Sequence, residues 1–171
     1  MDNHTDPIQT LMKEHDIGLK YLQRLGDAAE DIRTNGFSFE AFKHVAEAIQ
    51  FIDTEIRQHN EKEEKYLFPL MERHVDGPPA VMRGEHRKLW RAFSRLRECV
   101  KDVEEMRIYP STVRDLVECS KTIVQLLSDH IAKENDVLFP MAKEILTKDE
   151  YRQLTREIAA VIPMVLRNTI S

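Results

Sequence analysis

The segment His59-Asn-Glu-Lys-Glu63-Glu-Lys-Tyr-Leu-Phe-Pro69 returns 71 residues later as His130-Ile-Ala-Lys-Glu134-Asn-Asp-Val-Leu-Phe-Pro140, with six of eleven positions identical. Each copy sets a His four residues before a Glu. Four residues of α-helix advance about 6 Å and turn about 40° beyond a full circle, so both side chains leave one face. The same offset links Glu14-His15 to Glu85-His86, and the 44 residues from His15 to His59 equal those from His86 to His130. The chain is therefore one helical hairpin written twice. Each hairpin carries two inward His and one inward Glu.

The remaining sequence agrees with helices. Five Gly and seven Pro in 171 residues leave long unbroken periodic runs, and 32 % of the residues are charged. That composition favours an all-α chain of one domain, residues 1–171. The net charge of -5 comes with no basic stripe, so nucleic acid is not an expected partner. No run of 18 apolar residues and no apolar leader segment is present, so neither a membrane nor export is expected. Cys99 and Cys119 stand apart rather than in a CxxC, which suits a reducing, cytoplasmic setting and thiols that act as small packing groups.

The apolar stripes place the helices. The first, opened by Thr5-Asp6-Pro7, runs Ile8, Leu11/Met12, His15, Leu19, Leu22, Leu25, Ala29, Ile32 and stops at Asn35-Gly36. The second, from Ser38, runs Phe42, Val45, Ile49, Ile52, Ile56, His59, Glu63, Tyr66, Leu70, with Pro69 expected to kink or end it. The third follows Gly77-Pro78-Pro79 and carries Met82, His86, Leu89/Trp90, Phe93, Leu96, Val100, Val103. The fourth, with Ser111 as expected cap, carries Leu116, Ser120, Ile123, Leu127, His130, Glu134, Val137, Met141. A capping box, Thr147-Lys-Asp-Glu150, opens a short fifth helix. The expected architecture is an antiparallel up-down-up-down four-helix bundle over 5–146, made of two repeated hairpins, with a C-terminal helix over 147–166.

Six inward polar residues in such a bundle demand an explanation. A buried unpaired carboxylate costs several kcal/mol, on the order of the cost of breaking a buried ion pair. No Lys or Arg falls on the seam beside Glu63 or Glu134. Cations solve the problem, since carboxylates and neutral imidazoles are their ligands. The repeat assigns His15 and His59 to one ion, and His86 and His130 to a second, with Glu63 and Glu134 bridging. An oxo or hydroxo bridge would leave one position open on each ion. Mixed imidazole and carboxylate ligation favours iron, with manganese or a mixed pair as alternatives, over closed tetrahedral zinc.

These residues are similar to a family. His15, His59-x3-Glu63, His86 and His130-x3-Glu134, with the Leu-Phe-Pro after each motif, resemble the hemerythrin-like, or HHE cation-binding, domain over residues 5 to about 146. The resemblance implies a non-haem di-iron centre inside a four-helix bundle. Ferritin-like bundles require Glu-x-x-His, and no His here has a Glu three residues before it. In oxygen carriers of the family the third helix bears His-x3-His; here Met82 stands four before His86. The chain resembles instead four-His, two-Glu members, among them di-iron proteins of iron–sulfur cluster repair and an iron-sensing ubiquitin-ligase subunit. The expected function is binding or sensing of O2, NO or peroxide at open iron positions. The alternative is a di-iron enzyme or iron-handling factor working in NO or peroxide reduction, cluster repair, storage or donation.

Around the six, Tyr66 lies one turn past Glu63 and is a candidate for contacting a bridging ligand. Glu14 and Glu85 each precede a ligand His and are expected to face solvent or a neighbouring helix, since adjacent residues point about 100° apart. Phe51, Trp90 and Phe93 are expected to wall the site. His4, His44 and His74 lie off the repeat and are expected on the surface.

Overall fold

The computed structural model describes residues 6–161, and His4 lies outside them. Helix α1 spans Pro7–Asn35. Asp6 caps it, its Oδ1 accepting from Ile8 N at 2.9 Å and Gln9 N at 3.3 Å, with Pro7 in the first turn where no N–H is needed. The helix stops at Gly36, whose φ of +87° suits a residue without Cβ. Ser38 Oγ accepts from Ala41 N and opens helix α2, residues 39–71. Gly77 (φ +102°) makes the next turn, and helix α3 follows at Pro78–Glu104. Helix α4 covers residues 110–145, and helix α5 is Lys148–Ala159. No strand is present among the described residues.

The expected architecture is the one observed. α1 packs along α2 and α4, and α3 along α4. The apolar interior divides into two clusters. The larger joins Leu22–Ile32 of α1 to Ala41–Ile56, Leu89–Val103 and Leu116–Ile131 of the other helices. The smaller holds Ile8, Leu11, Leu67–Met71, Met82 and Leu138–Leu146. α5 caps this second cluster with Leu154 and Ile158, held by the Thr147–Glu150 capping box and by the Tyr151 hydroxyl donating to Asp6. The layer between the two clusters contains the four inward His and both inward Glu. No helix among the described residues is long and apolar enough to cross a membrane.

Five expectations shift. Inside α1 the inward position after His15 is Gly18, buried, while Leu19 is 38 % exposed. A Cβ on Gly18 would lie 3.1 Å from Ile56 Cδ1 and 3.9 Å from Ile131 Cδ1, so a small residue here is what lets α1 approach α2 and α4. Second, α2 and α4 each widen to a π turn at the motif, Glu63–Leu67 and Glu134–Leu138. A π turn takes one residue more than an α turn and rotates every later side chain about the helix axis. Leu67 and Leu138 therefore face inward, Tyr66 and Met141 are half-buried, and Val137 is 56 % exposed. Third, Pro69 and Pro140 come after those π turns and the helices run past them, to Met71 and Ile145. The wider turn relieves the clash a proline ring makes with the carbonyl four residues back. Fourth, α4 begins at Pro110 rather than behind a Ser111 cap, with Tyr109 at the cap position and no side-chain capping bond. Finally, the last helix ends at Ala159, with a turn at 160. Residues 162–166 of the expected helix lie outside the described residues.

Candidate metal centre

Each of the four helices delivers its His into the middle layer. His15, His59, His86 and His130 are 1–4 % exposed, and Glu63 and Glu134 are fully buried. Their donor atoms form two overlapping sets. His15, His59, Glu63 and Glu134 make one; Glu63, His86, His130 and Glu134 make the other. Within each set the ligand atoms lie within 4.8 Å of one another. The structure thus brings all six expected ligands together, grouped as the repeat implied.

The carboxylates are shared in detail. Glu63 Oε1 lies 3.0 Å from His59 Nε2, while its Oε2 lies 3.5 Å from His86 Nε2. Glu134 does the converse, with Oε2 at 3.1 Å from His15 Nε2 and Oε1 at 3.1 Å from His130 Nε2. Each carboxylate therefore turns one oxygen to each His pair. Nε2 of His15 and of His59 and all four carboxylate oxygens are buried without a hydrogen bond of acceptable geometry among the described residues. Native interiors leave few such atoms, and six in one layer is a donor set waiting for a cation. Two imidazoles and two carboxylate oxygens per set suit iron or manganese.

The other ring nitrogen of every His is held from behind. His59 Nδ1 donates to Glu14 at 2.7 Å, His130 Nδ1 to Glu85 at 3.0 Å, His86 Nδ1 to Glu64 at 2.6 Å, and His15 Nδ1 to Asn135 Oδ1 at 2.8 Å. A proton on each Nδ1 aims Nε2 inward, so that loss of any Nε2 proton leaves the tautomer a metal ligand needs. Glu14 and Glu85, both half-buried, reach a neighbouring helix, and each also bonds a lysine, Lys62 or Lys133. Those ammonium groups therefore do not neutralise Glu63 or Glu134. The sequence signal for this outer layer was the 71-residue offset itself, which also relates Glu14 to Glu85 and Lys62 to Lys133.

Charge balance in the protein alone falls on protons. Burial lowers the His59 pKa, but Glu63 and Glu14 outweigh it and hold the imidazole up at about 10. Burial likewise opposes charge on His130, and Glu134, Glu63 and Glu85 raise it to about 9. Burial pushes the Glu63 carboxyl up, yet His59 and His86 hold it well below the usual carboxylate range. Protons on imidazole thus compensate the buried carboxylates, and a bound cation would replace them.

The aromatic wall differs from expectation. Phe139 stacks on His15 with centroids 5.3 Å apart, and Phe68 on His86 at 5.8 Å. These are the Phe residues of the repeated Leu-Phe-Pro. Phe51 instead stacks on Tyr21, while Trp90 sits under the Arg57 guanidinium and edge-on to Phe93. Tyr66 packs against the smaller cluster with the Lys65 ammonium over its ring. Met82 is 6 % exposed and part of that cluster. His44 and His74 are on the surface, beside Glu47 and Glu150. Asn60, next to His59 and one turn before Glu63, is 4 % exposed, and neither amide atom has a partner among the described residues. A groove of about 630 Å³ lies at the opposite end of the bundle, between Ile32, Phe37, Ile108, Tyr109, Val113 and Val117, far from the His and Glu layer.

Comparison with known proteins agrees with the geometry. Residues 6–142 match the hemerythrin family, described as the hemerythrin HHE cation binding domain. The chain is also similar to the iron-sulfur cluster repair protein YtfE of Yersinia pestis (strain Pestoides F) and of Yersinia pseudotuberculosis serotype O:1b (strain IP 31758), 28 % identical over 137 residues in each case. The match takes in 77 % of this chain and 62 % of each relative, so the chain spans less than two thirds of the length of these relatives.

Proposed function

This chain belongs to the hemerythrin HHE cation-binding domain family, and from that premise we propose that it is a non-haem di-iron protein that binds or senses a small diatomic or peroxide ligand, namely O2, NO or H2O2. The observation that carries this reading is the sharing of Glu63 and Glu134 between two four-ligand sets. His15 and His59 would hold one iron, His86 and His130 the other, with both carboxylates and an oxo or hydroxo group bridging. Such a pair supplies one-electron redox chemistry and open coordination positions. The protein contributes the rest. The Nδ1 partners orient each imidazole, and Phe68, Phe139 and the two apolar clusters exclude water.

Metal analysis with absorption spectra of the reduced and air-exposed protein tests this reading. Two irons per chain are expected, with a reversible spectral change on adding the ligand. Fewer than two irons, or unchanged iron content in His59→Ala, would refute the assignment.

The similarity to YtfE favours a second reading, an iron-handling role in iron–sulfur cluster repair. Incubating the iron-loaded protein with an acceptor lacking its cluster separates the two. Iron transfer to the acceptor supports repair; retained iron with reversible ligand binding supports sensing.

A further inference from the structure

The 71-residue repeat is kept almost everywhere at the centre. Glu14 and Glu85 hold His59 and His130 alike, with Lys62 and Lys133 behind them. Phe139 and Phe68 cover His15 and His86 alike. In front of the rings the pairs differ, since His86 Nε2 lies 3.0 Å from His130 Nε2 while the Nε2 atoms of His15 and His59 make no hydrogen bond among the described residues. Behind the rings the repeat fails at one residue. Glu64 holds His86 Nδ1 at 2.6 Å, and its counterpart holding His15 Nδ1 at 2.8 Å is Asn135.

An amide and a carboxylate do not do the same work there. Both fix the ring and its tautomer. Only the carboxylate also adds negative charge behind the imidazole and strengthens its lone pair toward a cation. Charge bookkeeping sharpens the contrast. Glu14 and Glu85 are each matched by a lysine. Glu64 has no Lys or Arg ion pair among the described residues; its side chain pairs with His86 alone. The His86–His130 pair is thus backed by one carboxylate with no Lys or Arg ion-pair partner, half-open to solvent and with the Arg83 guanidinium 3.4 Å from the Glu64 backbone carbonyl, and the His15–His59 pair by none.

We propose that the two ion positions are inequivalent and fill in order, the position between His86 and His130 first. This rests on the two-ion reading above and adds a sequence of loading to it. One ion is held tightly and completes the shared carboxylates; the second, between His15 and His59, is the more readily exchanged. A protein that takes up or gives up a single ion while keeping its partner is the consequence. Losing a hydrogen-bonding partner behind a ligand His costs roughly 10- to 100-fold in metal affinity; here both partners keep the bond and only the charge differs, so the two dissociation constants should differ by several-fold, up to about tenfold.

Anaerobic titration of the metal-free protein with cobalt(II), followed by its visible bands, tests the order. The wild type should show two steps. His86→Ala should remove the tighter step, and His15→Ala only the weaker. Glu64→Gln makes the two positions alike in charge and, at an exposed residue, leaves the core intact; it should collapse the separation. Asn135→Asp should draw the weaker step toward the tighter one. Two indistinguishable steps in the wild type, a tight step that survives His86→Ala, or an unchanged separation in Glu64→Gln would each overturn the proposal. Uptake of fewer than two ions by the wild type is a different result, and it would overturn the two-ion reading itself.

Discussion

Glu14 accepts a hydrogen bond from His59 Nδ1 across the α1–α2 groove at 2.7 Å, although the two residues lie 45 positions apart. This contact fixes the His59 ring and leaves its Nε2 pointing at Glu63. Glu14→Gln keeps a hydrogen-bonding oxygen but removes the charge, and Glu14→Ala removes both. Iron affinity, measured by competition with a chelator, should fall roughly 10- to 100-fold in Glu14→Ala and by less in Glu14→Gln. Helicity should be unchanged, because Glu14 is half-buried and caps nothing. Equal affinities for all three proteins would show that the contact orients nothing.

Metal uptake should release protons. In the metal-free protein His59 and His130 are held charged, with pKa values of about 10 and 9. A metal ligand must be neutral, so on the order of two protons should leave per protein at pH 7.5, and metal affinity should fall on acidification. Calorimetry in buffers of different ionisation enthalpy counts them. The same shifts set the sign for stability. Both imidazoles lie above their ordinary 6.5, so their contribution to the metal-free fold is complete below about pH 6.5 and is lost as pH rises through about 9 to 10. Thermal melts of the metal-free protein should therefore fall across that window, and melts of the metal-loaded protein should not.

The fold and the convergence of these six side chains on one layer were legible because a repeat at fixed offset reports structure twice. One inward His is ambiguous; four at matching spacings are not. What escaped was whatever depends on a neighbour or on a change of helical pitch. Glu14 and Glu85 sit off the seam, and only the neighbouring helix turns that off-seam direction into a contact with His59 or His130. The π turns at Glu63–Leu67 and Glu134–Leu138 break the 3.6-residue period that places Tyr66 and Val137 inward. Pro69 and Pro140 alone read as a kink or an end, and nothing in the sequence marks the π turns before them. Gly18 escaped because an apolar stripe reads Leu19 more readily than a residue with no side chain.

Asp6 ties three elements together. It caps α1, accepts from the Tyr151 hydroxyl of α5 and pairs with Lys143 of α4 at 3.2 Å. Asp6→Ala should cost about 1 kcal/mol through the cap alone, a fall in Tm of about 2–4 °C for a chain of this size. Asp6→Asn keeps the cap and should cost less. Burial raises the Asp6 pKa, but Tyr151 and Lys143 outweigh it and hold the carboxyl below its usual range. Its contribution is therefore present above the unfolded value near about 4 and lost as pH falls through the lower folded value. Tyr151 fluorescence and protease sensitivity of α5 should change on acidification in the wild type, whereas Asp6→Ala should already show the altered behaviour at neutral pH.

Gly18 and Ile131 form a small-against-large pair beside His15, and their repeat counterparts, Leu89 and Asn60, reverse the sizes. Gly18→Ala places a methyl 3.1 Å from the Ile56 terminal methyl, which can rotate away, and it gains about 1 kcal/mol of helix propensity. The net result should be a slight rise in Tm. Gly18→Leu has no such escape, because Ile56 and Ile131 already fill the space, and overpacking of this kind costs about 1–3 kcal/mol. It also pushes α1 outward one turn from His15, so iron content should drop along with Tm. The double change Gly18→Leu with Ile131→Asn copies the Leu89–Asn60 pair and should recover part of both. A Gly18→Leu protein that melts as high as wild type and holds two irons would mean that the close approach of α1 does not set the position of His15.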